Sequence, residues 1–313
     1  MTSSHPSRRP AVGVAYGAAA YLFWGLFPLY YRRMSEVPAP EILCHRVVWS
    51  LVFTAALVTL LRRWPETIRQ LRVPRTLLRL AASAVFISVN WLIYIWAVNS
   101  GHVLQASLGY YVNPLITVLF GVHLLGEPLT KRQWVAVGLA GAGVLALVIR
   151  AGQVPWVALS LAITFALYGL VRKKVEVDAT AGLLAEVGLL SPLALAALLW
   201  LGHTGAGHFA GSTRLTLLLL STGAVTAIPL LWFALAVQRL ALSTVGLLQY
   251  LNPTMQFAIA VFAFGEKFTA AHALAFGFIW VALAIYSVDV LARRQPARPP
   301  VTASPNTDHG PTA

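Results

Sequence analysis

Two charged side chains interrupt long apolar runs, Arg46 and Glu186. An ionisable group in such a setting is costly to keep, so it marks a solute or proton path by default. Arg46 suits an anionic group or nearby carbonyls, while Glu186 suits a coupling proton or an exit toward Lys173 and Lys174. A rise of 1.5 Å per residue from the run ends puts the two roughly 12 Å apart in depth, too far for a direct pair. Asn113 and Asn252 come next, each followed by a proline. Proline removes a helical N–H and crowds the carbonyl four residues back, here at Tyr110 and Gln249. Helical spacing sets Tyr110, Asn113 and Thr117 on one stripe and Gln249, Asn252 and Gln256 on another. The stripes read as walls of a solute cavity; the alternative is a kinked helix held by interhelical hydrogen bonds. Asn90, Tyr94, Trp24, Tyr168 and Trp232 extend the candidate lining, which suits an amphipathic or amino-acid-like solute. Packing is an equal reading for each aromatic, and His45 reads as structural.

No motif for covalent chemistry accompanies them. Gly-x4-Gly-Lys-Ser/Thr, His-Glu-x2-His and Gly-x-Ser-x-Gly are all absent, which speaks against direct ATP drive and against an intramembrane zinc or serine hydrolase. The single cysteine, Cys44, cannot form an internal disulfide or a cysteine metal cage. The expectation is a protein without enzymatic activity, cofactor or metal.

The elements that must hold these residues are helices in lipid. Of 313 residues, 58% are hydrophobic and only 11% charged, with a mean hydropathy of +0.73. A soluble domain carries about 25% charged residues. Apolar runs at 11–31, 41–61, 77–99, 103–125, 132–149, 154–171, 179–201, 215–237, 242–264 and 270–291 predict ten spans of an all-α membrane protein. The net charge of +13 forms no continuous basic face, so nucleic acid is not expected. With the N-terminus inside, all of the 23 Lys and Arg except Arg32, Arg33, Arg46, Arg150, Arg214 and Lys267 fall on the inner side. That bias predicts two cytoplasmic termini. The Arg62–Arg79 segment is expected along anionic headgroups.

The chain also repeats itself. Leu108 to Pro114 recurs as Leu247 to Pro253, Gly126-Glu127 recurs as Gly265-Glu266, and Asn90 to Val98 aligns with Pro229 to Val237, all at one offset of 139 residues. The matched helices are the fourth and ninth, five apart, and an odd step reverses direction across the membrane. The reading is therefore two inverted five-helix repeats with a site near the midplane between them. These divide the chain into a tail at 1–10, repeats at 11–149 and 154–291, and a disordered tail at 292–313. The fifth and tenth spans are rich in small residues, as at Gly138 to Gly143, and read as scaffold or a homodimer face.

At these residues the sequence resembles the RarD (chloramphenicol-sensitivity) branch of the EamA family in the drug/metabolite transporter superfamily. The resemblance runs over about residues 11 to 291. It is carried by Glu41 to Ser50, Asn90-Trp91 through Asn99, Ala106 to Tyr110, Tyr168 to Lys174, Leu242 to Gly246 and Phe278 to Ile285. It implies ten spans in two EamA repeats, a bacterial inner-membrane location, and export of small metabolites or drugs. The competing expectation is a non-transporting sensor or scaffold whose cavity binds a ligand.

Overall fold

The computed structural model describes residues 10–125, 129–152, 154–173, 175, 177–237 and 248–292. Gly126-Glu127, Lys174, the Leu242–Gly246 stretch and both tails lie outside the described residues, as do the side chains of Pro114, Thr117 and Lys173. Every regular element described is a helix. In order they are α1 (Pro10–Gly25), α2 (Phe27–Arg32), α3 (Ala39–Leu60), α4 (Trp64–Leu71), α5 (Pro74–Asn99), α6 (Val103–Leu125), α7 (Lys131–Ala151), α8 (Trp156–Lys173), α9 (Ala179–Thr204) and α10 (Thr213–Val237). α11 (Leu251–Ala258) then continues into a π-helical turn, Ile259–Ala263, and α12 (Ala270–Ala292) follows.

Local sequence explains the ends. Prolines stand in the first turn of α2, α3, α4 and α5, where the missing N–H would have had no helical partner. Thr130 and Gln133 form a capping box at α7, and Asp178 caps α9 through the Ala181 N–H. Gly152 and Gly205 close α7 and α9 in left-handed conformation, which only glycine adopts without strain. α4 is short and amphipathic, with only Thr67 buried, and lies within the basic Arg62–Arg79 segment.

Among the described residues, seven helices are long and apolar enough to cross a membrane: Ala11–Arg32, Ala39–Leu60, Pro74–Asn99, Lys131–Arg150, Thr180–Thr204, Thr213–Phe233 and Ala270–Asp289. Trp156–Arg172 and Leu251–Ala263 are shorter apolar helices. The main packing joins helices before residue 152 to helices after it. α7 lies along α12, α6 and α5 along α8, α3 along α9 and α10, α1 along α10, and α11 sits against both α6 and α1.

With lipid on the outside, such contacts depend on close backbone approach. A Cβ on Gly109 would come 2.6 Å from the Ala158 carbonyl oxygen, and one on Gly223 would collide with the Trp49 carbonyl. The small-residue stripe of α7 is divided: Gly143 faces α12 at Phe278 and Ala275, while Gly138 and Gly141 meet nothing within 4 Å.

Candidate functional site

Arg46 sits about 10 Å along α3 from its first residue and is 4% exposed. Its Nη1 donates to the Tyr31 hydroxyl at 2.7 Å. The guanidinium lies 3.9 Å over the Trp91 ring, with Phe27 and Tyr31 at 5.8 and 5.9 Å. Tyr94 packs edge-on against Tyr31 and Tyr110, at 6.1 and 5.8 Å between ring centroids. α2, α3, α5 and α6 thus bring three expected residues together, Arg46, Tyr94 and Tyr110. The Arg46 Nε and the Tyr94 hydroxyl are both buried without a hydrogen-bond partner. Desolvating a guanidinium costs several kcal/mol even after relaxation. A cation over an aromatic face recovers roughly 2 kcal/mol, which leaves the pocket short of negative charge.

A second cluster forms between α1 and α10. Trp24 packs on Tyr21 at 5.4 Å and on Phe233 at 5.9 Å, and Trp232 packs on Phe23 at 5.8 Å. Tyr168 joins the first cluster indirectly, through Phe165 to Tyr110.

The asparagines act between helices. Asn113 donates to the Ala162 carbonyl at 3.0 Å, and Asn90 donates to the Leu161 carbonyl at 3.0 Å and the Thr164 hydroxyl at 2.9 Å. Asn252 accepts from Gln256 Nε2 at 2.7 Å, leaving the Gln256 Oε1 buried and unpartnered. The Gln249 carbonyl is not freed by Pro253, as the proline rule suggested. It accepts the Asn252 N–H at 3.2 Å, because α11 begins at Leu251 and Pro253 falls in its first turn.

Glu186 has its own partners, away from Arg46. It accepts from Ser83 at 2.6 Å and pairs with Arg172 at 3.7 Å. The Arg172 guanidinium occupies the space a side chain at Gly182 would need. His45 accepts from Trp49 at 3.2 Å and stacks on Phe209 at 4.9 Å, a packing role.

A profile described as the EamA-like transporter family matches residues 11–149. A protein of Vibrio cholerae named "Uncharacterized transporter" is 46% identical over 287 residues, 91% of this chain and 95% of that protein. "Protein RarD" of Escherichia coli is 45% identical over 280 residues, 89% and 95% of the two chains. The chain belongs to the EamA family. It is a RarD-type member, a multi-pass membrane transporter of the drug/metabolite superfamily from a bacterial transporter family. A solved structure titled "Crystal structure of protein" matches with a TM-score of 0.55 at 19% identity, over 91% of this chain and 99% of that one, a likeness of fold.

In this EamA chain several further residues hold the candidate site groups and the ends of the helices. Trp91 and Tyr31 complete the Arg46 pocket, and Arg172 and Ser83 hold Glu186. Glu41, 3% exposed, accepts the His208 N–H at 2.6 Å and meets its Nδ1 at 2.8 Å. Glu266 accepts the N–H groups of Val103 and Leu104 at 2.7 and 2.8 Å and so caps α6. The repeated Gly-Glu pair was the signal for Glu266. For Glu41 the signal was its place five residues before Arg46 in one charged patch of an apolar run.

Proposed function

We propose that this chain is a secondary transporter of ten spans, exporting a small metabolite or drug by alternating access between two inverted five-helix halves. The reading rests on the helix packing, which maps onto itself when the halves are exchanged. The pair α1–α10 exchanges with α8–α5, α6–α8 with α11–α1, and α3–α10 with α9–α5, while α7–α12, α3–α9 and α6–α11 exchange with themselves. The asparagines follow the same rule: Asn113 meets α8 at Ala162, and Asn252 lies beside α1 at Gly25. A cavity between the halves is lined by Arg46, Tyr94 and Tyr110 on one wall and by Trp24, Trp232, Asn252, Gln249 and Gln256 on the other. Asn90, Asn113 and Tyr168 support it, and Glu186 is the proton-coupling group. Both termini are placed in the cytoplasm and the spans in the inner membrane, a reading the Lys/Arg bias supports.

Purified protein in proteoliposomes, given a metabolite mixture with and without a proton gradient, tests transport and coupling together. Gradient-dependent flux of at least one solute is expected, and Glu186→Gln removes the gradient dependence. Absence of any flux with ligand binding retained makes the chain a sensor. In a Cys44→Ala background, Lys131→Cys and Lys267→Cys should label from opposite faces with an impermeant maleimide. Labelling from one face refutes inversion.

A further inference from the structure

We infer that the transported solute is a small organic oxyanion, and that the Arg46 pocket is its headgroup subsite. This deepens the transporter reading by naming the substrate class. The guanidinium is nine-tenths buried and aromatic on three sides. Among the described residues no carboxylate faces it. The buried acids are engaged elsewhere: Glu41 by His208, Glu186 by Ser83 and Arg172, and Asp289 by Thr130. Glu36 is held by Arg214, and Glu266 by the N-terminus of α6. A buried cation stays charged only with a counter-charge or a full set of hydrogen bonds, and Arg46 has neither.

What it has is a vacancy in bonding of a particular shape. Two donors are unspent, the Arg46 Nε and the Tyr94 hydroxyl, and Tyr94 packs on Tyr31, whose hydroxyl the guanidinium holds, and on Tyr110. Guanidinium and hydroxyl together match an oxygen-bearing anion better than a halide, because a carboxylate or phosphate offers separate lone pairs to separate donors. The aromatic walls from Phe27, Tyr31 and Trp91 exclude water and accept an apolar body on the same molecule.

Thermal unfolding of the full-length protein in detergent tests this without any flux readout, so failure of transport and failure of this assignment are separable. The probes are benzoate, phenyl phosphate, chloride and neutral benzamide. Benzoate or phenyl phosphate should raise the melting temperature saturably, and benzamide should not; the stronger of the two anions identifies the headgroup. Arg46→Lys keeps the charge and loses the planar fork, and should weaken the response about tenfold, the scale of one charge-assisted hydrogen bond. Tyr94→Phe should weaken it by a similar factor. Arg46→Met should lose the response and melt at or above the wild type in anion-free buffer, since it deletes an uncompensated charge. The assignment is overturned if neither anion shifts the wild type, if Arg46→Met keeps the shift, or if chloride matches the organic anions. It is also overturned if Arg46→Met melts below the wild type in anion-free buffer, which would make Arg46 a packing residue.

Discussion

Asn90 and Asn113 reach α8 from two different helices and take adjacent carbonyls, Leu161 and Ala162. Those carbonyls lie inside a helix and already accept its own N–H groups, so removing an asparagine leaves no orphan acceptor. Asn113→Ala and Asn90→Ala should each cost about 1 kcal/mol, the usual worth of an interhelical hydrogen bond in a membrane protein. Thermal unfolding in detergent reads that loss, and a loss of flux without any loss of stability would reassign them to the cavity wall. Glu186 differs in kind. Its partner Arg172 already has one buried nitrogen without a bond, so Glu186→Gln strands a cation and should cost about 3 kcal/mol. Replacing both with methionine should cost less than that single change. Gly182→Ala should act through the same pair, because its methyl group takes the place of the guanidinium. A double replacement as costly as the sum of the two singles would show that the pair is not coupled.

Elements here are positioned by glycines as much as by large side chains. Gly223 lets α10 lie directly on the α3 backbone at Trp49, and Gly109 does the same for α6 on α8. Backbone cannot rotate away as a side chain can, so overpacking at these points should exceed the usual 1–3 kcal/mol. Gly223→Leu and Gly109→Leu are expected to abolish the monodisperse detergent peak. Gly169→Leu and Gly141→Leu, which meet open space, should leave it intact. Stable Gly223→Leu protein would refute the close contact. The helices themselves were legible in the sequence: the apolar run at 103–125 is α6, and the run at 132–149 is α7 within two residues at each end. What was not legible is tertiary. The first run breaks near Leu26, where Pro28 opens α2, and hydropathy alone does not register such a break. Of the run read at 242–264, residues 242–247 lie outside the described residues; in the rest a turn at Gln249-Tyr250 precedes α11, which ends in a π-helical turn, and hydropathy registers neither. Among site residues, Arg46 and Glu186 stood out as charges in apolar runs. Their true partners Trp91 and Arg172 did not, because nothing local distinguishes a packing tryptophan from a cation platform.

At the scale of the whole molecule, the ion pairs that join the halves among the described residues lie at the two ends of the bundle. At one end Glu41 grips His208, Phe209 stacks over His45, Glu36 pairs with Arg214, and Glu266 accepts the Val103 and Leu104 N–H groups. At the other, Asp178 meets Arg63 at 3.5 Å and Gln70, and Thr130 meets Asp289 at 3.0 Å. Between them the halves meet through aromatic contacts and single side-chain hydrogen bonds, such as those from Asn90 and Asn113 to α8 and from Ser107 to the Pro253 carbonyl. Rocking needs such an arrangement, since one end must part while the other holds. The connection between α9 and α10 belongs to the first end only: His208 and Phe209 fold back over the start of α3 and are held by residues of the opposite half. Tying this connection down should therefore stop transport without touching the Arg46 pocket. In a Cys44→Ala background, Glu41→Cys with His208→Cys, joined by a short reversible bis-thiol reagent, should lose flux and recover it on reduction. Benzoate should still raise the melting temperature of the joined protein. Undiminished flux with complete crosslinking would mean that this end does not open in the cycle, and that the parting occurs only at the Asp178 end.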